Sequence, residues 1–234
     1  PDGAFVVRGV LRQAQKAAPF ALDVPLIVRT TEGTEAFTVK SAAREAPFSV
    51  TTRGRPLGLE VDPEFDLFRL LDARETAPSL GQMFGDAEIV AVLPAKASAE
   101  ALKAYRQMIE FWGGGGAQKI AVRNDDDTAP LPTDRAVWIF GRDNALATKL
   151  FGDDAAIGFK VGATAIETAG QQIPFANHSA AIVRRHPGNP AKAIGWIVAD
   201  PIEAAAGLAR KLPHYGKYSF LGFEGSEPSN TVKG

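Results

Sequence analysis

Apolar and polar positions alternate in short runs over the first sixty residues. Residues 4–13 are apolar with partial alternation. Val24, Leu26 and Val28 fall on one face of an extended chain, because successive strand side chains point to opposite faces. Phe37 with Val39, Phe48 with Val50, and then Leu57, Leu59 and Val61 repeat the pattern between Gly and Pro turns. Glu32-Gly33 marks a hairpin turn, and Pro25 marks its strand as an edge strand or one broken by a bulge. This spacing predicts an antiparallel β-sandwich. Asp62 as N-cap and Pro63 at the first helical position precede Phe65, Phe68, Leu70 and Leu71 at helical spacing, which predicts a short closing helix over 64–75. The breaker cluster at 77–81 sets a boundary, giving domains 1–78 and 79–234.

Beyond residue 86 the pattern changes. Residues 88–93 form a continuous apolar run, as expected of a strand covered on both faces. Ser98 is placed to cap an amphipathic helix running to Trp112, and glycines 113–116 end it. Strands are predicted at 119–123, 136–140, 180–183, 194–198 and 218–223, with a hairpin over 157–168. Helices are predicted from a cap at Asp143 to Leu150, and over 202–212. Strands separated by helical stretches predict a three-layer α/β domain, and the hairpin makes its sheet mixed.

Composition narrows the function classes. A net charge of −1 leaves no basic footprint for nucleic acid. No apolar run is long enough for a membrane span. The absence of cysteine removes thiolate nucleophiles, disulfides and cysteine-rich zinc sites. That usage fits a periplasmic or cell-envelope protein, and also a cytoplasmic one. The chain opens on Pro-Asp-Gly and closes on a polar run, which reads as a piece of something longer.

No stretch completes a recognisable catalytic set. Glycines 113–116 follow a helix and precede a strand, the reverse of a phosphate loop. Asp125, Asp126 and Asp127 are adjacent and lack calcium-loop spacing. His178, His186 and His214 form no His-Glu-x-x-His helix, and there is no Gly-x-Ser-x-Gly elbow. No metal ligand, cofactor or catalytic residue is therefore assigned. Arg185, His186 and Asn189 are binding candidates because they follow a strand, and ligands favour the carboxyl ends of strands in open α/β sheets. Pro187, Gly188 and Pro190 among them also read as a rigid turn. His214, Tyr215 and Lys217 are further candidates, in a turn that leads to the amino end of the last strand.

Four motifs stand in order along the chain. They are Leu-Glu-Val-Asp-Pro-Glu-Phe-Asp-Leu-Phe-Arg at 59–69, Val-Trp-Ile-Phe-Gly-Arg-Asp-Asn at 137–144, Arg-His-Pro-Gly-Asn-Pro at 185–190, and Lys-Leu-Pro-His-Tyr-Gly-Lys-Tyr-Ser at 211–219. As a set they resemble the C-terminal, non-catalytic region of bacterial gluzincin metallopeptidases of the alanyl-aminopeptidase-like group. The resemblance implies a β-sandwich that follows a catalytic domain, then an α/β module. That family's zinc ligands and catalytic glutamate have no counterpart in these residues. The expected function is an accessory region that packs on the missing catalytic part of the same polypeptide, gates substrate or binds a ligand. A stand-alone module for a peptide or small ligand is the first alternative, and a hydrolase built on His186 or His214 the second.

Overall fold

A computed structural model describes residues 4–115 and 118–234. The protein is mostly strand, with few helices and several sheets. Two compact units meet in sequence between Leu70 and Leu71.

Among its described residues the first unit holds five strands, β1 (Phe5–Arg12), β2 (Leu22–Thr30), β3 (Gly33–Ser41), β4 (Glu45–Thr52) and β5 (Pro56–Val61). They pair antiparallel as β1-β4 and as β3-β2-β5. Val24, Leu26 and Val39 are the buried centre, with Leu11, Leu22, Phe37 and Phe48 packed around them. Pro25 does not mark an edge, because β2 is the central strand. The last β5 rung is Leu26 with Val61, and the Pro25 carbonyl accepts the Asp62 N–H at 2.8 Å just beyond it. The proline nitrogen therefore falls on the β5 side, where that ladder has ended and no donor is needed.

The helix expected over 64–75 is absent, apart from a 3-10 turn at Ala73–Glu75. Asp62 and Phe65 have φ of +53° and +58°, which no α-helix accommodates. The Asp62 side chain, fully buried, accepts the Asp66 N–H at 2.8 Å, the Leu67 N–H at 3.2 Å and the Arg69 Nε–H at 2.9 Å. It caps backbone as the sequence suggested, but in a coiled loop whose Phe65, Phe68 and Leu70 are exposed.

In the second unit, α1 (Leu80–Phe84), β6 (Glu88–Leu93), α2 (Ala99–Gly113), β7 (Lys119–Asn124) and β8 (Ala136–Phe140) come first. Next come α3 (Ala147–Leu150), the short strands β9 (Lys160–Val161), β10 (Ala165–Thr168) and β11 (Gln171–Pro174), and the long pair β12 (His178–His186) and β13 (Asn189–Val198). Helix α4 (Ala205–Lys211), β14 (Phe220–Glu224) and β15 (Ser229–Lys233) complete it. Seven strands form one mixed sheet in the order β15-β14-β12-β13-β8-β6-β7, parallel from β13 to β7. Strand β15 lies in the C-terminal segment that reads as a polar tail in sequence.

Alternation places Ile89, Ala91 and Leu93 of β6 and Ala136, Trp138 and Phe140 of β8 on one face, against Met108, Ile109 and Trp112 of α2 and Leu208 of α4. Val90, Val92, Val137 and Ile139 face the other way, against Phe151, Phe159, Ile166 of β10 and Ile173 of β11. That second cover is a small antiparallel sheet, β11-β10-β9, with one turn of helix, where a helical layer was expected. Gly195 leaves the slot that Trp138 fills: a Cβ there would stand 2.2 Å from the indole Cζ3.

Candidate functional site

The parallel strands run from an amino edge to a carboxyl edge. Antiparallel β12 ends at the amino edge, because Arg185 pairs with Ala193 at the start of β13. The six binding candidates lie in segments at this edge, not at the carboxyl edge where ligands ordinarily bind. Residues 185–190 are the tight end of the β12–β13 hairpin. Residues 214–217 lie in the 3-10 turn Leu212–Tyr215 and the link that feeds β14, whose Phe220 pairs with Ile182.

Three of these six side chains, those of Arg185, His186 and Asn189, are engaged in holding backbone. Arg185 donates to the carbonyls of Pro190, at 3.3 Å, and of Thr76. Asn189 donates Nδ2–H to the Thr133 carbonyl at 2.8 Å and accepts the Ala191 N–H at 3.1 Å. His186 is 3% exposed, and its Nδ1 accepts the Gly188 N–H at 3.0 Å, which puts the ring proton on Nε2. Nε2 is buried and finds no acceptor in good geometry. Burial pushes the imidazole below its ordinary range, and the Pro132 carbonyl opposes this only in part. Tyr215 packs edge-on against Phe223, with ring centroids 5.7 Å apart, and Lys217 lies over the Tyr218 ring at 5.2 Å. His214 is exposed. Neither His186 nor His214 bonds a carboxylate among the described residues.

Two other polar residues, Asp125 and Asn144, act as braces. Asp125 accepts the Ala95 N–H at 2.8 Å and the Ala145 N–H at 2.6 Å, tying three loops together. Asn144, rather than Asp143, organises the start of α3. Its Nδ2 donates to the Val92 and Phe140 carbonyls and its Oδ1 accepts the Leu146 N–H. Of the glycine run, helix α2 ends at Gly113 and Gly114 caps it, while Gly116 lies outside the described residues.

Beside the hairpin, and lined in part by Arg185 and Pro187, is a cavity of about 560 Å³. Its walls are largely apolar, with Leu150, Ile157, Phe159, Ile182 and Phe220. Arg184, which is not among the six sequence candidates, also lines it. Arg184 lies on the face of β12 that carries Ile182, and its guanidinium stacks 4.0 Å above the Phe159 ring. Nη1 donates to the Gly152 carbonyl at 3.0 Å. Nε and Nη2, the two nitrogens of the carboxylate-binding fork, are buried with no acceptor among the described residues. Burial lowers its affinity for the proton, and the charges of Asp154 and Asp153 offset this only in part. An arginine strictly alternating with Ile182 on a buried strand face was the available signal.

No group of histidine, aspartate and glutamate that would hold a metal ion occurs among the described residues. No protein-family model matches the chain, and no curated protein matches it in sequence.

Proposed function

We propose that this chain is a non-catalytic accessory region of a larger bacterial zinc aminopeptidase-like protein, and that its second unit binds a peptide or small ligand. The two-part architecture is read as a β-sandwich followed by a three-layer α/β module, as the resemblance implies. Its partner is the catalytic part of the same polypeptide, and its setting the periplasm or cell envelope.

The observation that carries the reading is what the motif residues do. Asp62, Arg69, Asn144, Arg185 and Asn189 all belong to the motifs that carry the resemblance, and each is committed to bracing backbone. Residues committed in this way support an accessory role over a catalytic one. The cavity at Arg184 supports the binding role. A ligand with an apolar body and a carboxylate would bury surface against Leu150, Ile157 and Phe220 while supplying the acceptor the guanidinium fork lacks.

The test combines turnover with binding. Aminopeptidase activity of the chain should be nil with and without added zinc. N-acetyl dipeptides with apolar side chains and a free carboxylate should shift amide resonances of β12 and β14. Zinc-dependent turnover would overturn the accessory reading, and unshifted resonances would overturn the binding one.

A further inference from the structure

The walls of the Arg184 cavity have spent most of their hydrogen-bonding capacity. The Ser219 hydroxyl donates to the Pro78 carbonyl, and Arg185 donates to the carbonyls of Thr76 and Pro190. Ile182 and Val183 belong to a strand paired on both sides, and the Val183 N–H goes to the Ser219 carbonyl. Two lining groups keep capacity in hand. One is the Arg184 fork, whose Nε and Nη2 have hydrogens to give and no acceptor among the described residues. The other is Thr168, 4% exposed, whose hydroxyl makes no hydrogen bond among the described residues and can donate as well. The surplus is one of donors.

Charge points the same way. Of the charged residues that line the cavity, Arg184 and Arg185 outnumber Asp154, which is already engaged. Much of the remaining wall is hydrocarbon, from Leu150, Phe159, Ile182 and Phe220. Ile157 also lines the cavity while remaining 54% exposed, which places it at the mouth, where a long apolar body would cover it. A volume of about 560 Å³ is ample for such a body. Each ligand N–H buried here without an acceptor would cost about tenfold in affinity. A peptide carries one at nearly every residue, and an aliphatic acid carries none.

We propose that this cavity takes an aliphatic monocarboxylate in preference to a peptide. The carboxylate sits on the Arg184 fork, and the hydrocarbon body runs along Leu150, Phe159, Ile182 and Phe220 toward Ile157. This rests on the reading of the cavity as a binding site, and narrows its ligand to one class.

The experiment titrates hexanoate, octanoate, decanoate and N-acetyl-alanyl-leucine into the chain, each below any micelle-forming concentration, and follows the amide resonances of Ile157, Ile182 and Phe220. Affinity should rise by about fourfold for each added methylene from hexanoate to decanoate. Decanoate should bind at least tenfold more tightly than the dipeptide, which has the same carboxylate and two amide N–H groups. Ile157→Ser, at an exposed position, should weaken decanoate by about fivefold with the rest of the amide spectrum preserved. A flat alkanoate series, or decanoate binding unchanged in Ile157→Ser, would overturn the assignment. A dipeptide that binds as tightly as decanoate would overturn it too, while leaving the cavity a binding site. No shift from any of the four compounds would overturn both.

Discussion

His186 shows how much of a residue's role depends on surroundings that sequence does not display. As one of three histidines beside an arginine and an asparagine it reads as a ligand-binding group. In the structure it is the buried post of a hairpin, accepting the Gly188 N–H. Its lowered proton affinity has a consequence for stability. The unfolded imidazole titrates near its ordinary value of about 6.5, and the folded one lower. The unfolded chain thus binds more protons as pH falls through about 6.5 toward the folded pKa. Stability is full above that window and declines within it. Chemical denaturation at pH 7.5 and pH 5.5 should show the loss, and His186→Gln should reduce it. An imidazole titrating at or above 6.5 by NMR would contradict the buried, neutral assignment. Asp62 teaches the same lesson. Its capping chemistry was legible, whereas the positive φ at Asp62 and Phe65 that turns the chain away from a helix was not.

At the scale of elements, the strongly periodic segments were the legible ones. All five strands of the first unit fall where alternation places them, and β6, β7, β8 and α2 lie within a residue or two of their expected bounds. The Ser98 cap is present, its Oγ accepting the Ala101 N–H at 3.1 Å. Ser98→Ala should therefore destabilise the second unit by about 1 kcal/mol, and Ser98→Asp should largely restore it. No change in the midpoint for Ser98→Ala would mean that packing of Tyr105, Met108 and Trp112 alone fixes the helix start. Short or polar strands escaped notice. Strand β11 is Gln-Gln-Ile-Pro and β15 is Ser-Asn-Thr-Val-Lys, each with little apolar pattern of its own, and each is held by its neighbour's ladder. The hairpin at 185–190 was read as one of two alternatives, site or turn, and its residues form the turn. The edge of the sheet it occupies depends on strand order, which no local pattern encodes.

For the whole molecule, all three tryptophans, Trp112, Trp138 and Trp196, belong to the second unit. Indole fluorescence therefore reports that unit alone, and hydrogen exchange at β2 reports the first. Asp62→Ala strips a buried carboxylate from the Arg69 side chain and from two backbone N–H groups, and should cost about 3 kcal/mol. Exchange at β2 should accelerate by about a hundredfold while the fluorescence midpoint holds. An equal shift in both would show the two units unfolding as one. Ligand binding by the second unit can be tested at Arg184 itself. Titrating an N-acetyl apolar dipeptide, as acid and as amide, into wild type and Arg184→Lys would read the guanidinium fork itself. Wild type should prefer the acid by about tenfold, the scale of one charge-assisted pair, and the lysine variant should lose the preference while keeping its fold. Equal affinity of wild type for acid and amide, or a preference unchanged in Arg184→Lys, would contradict it.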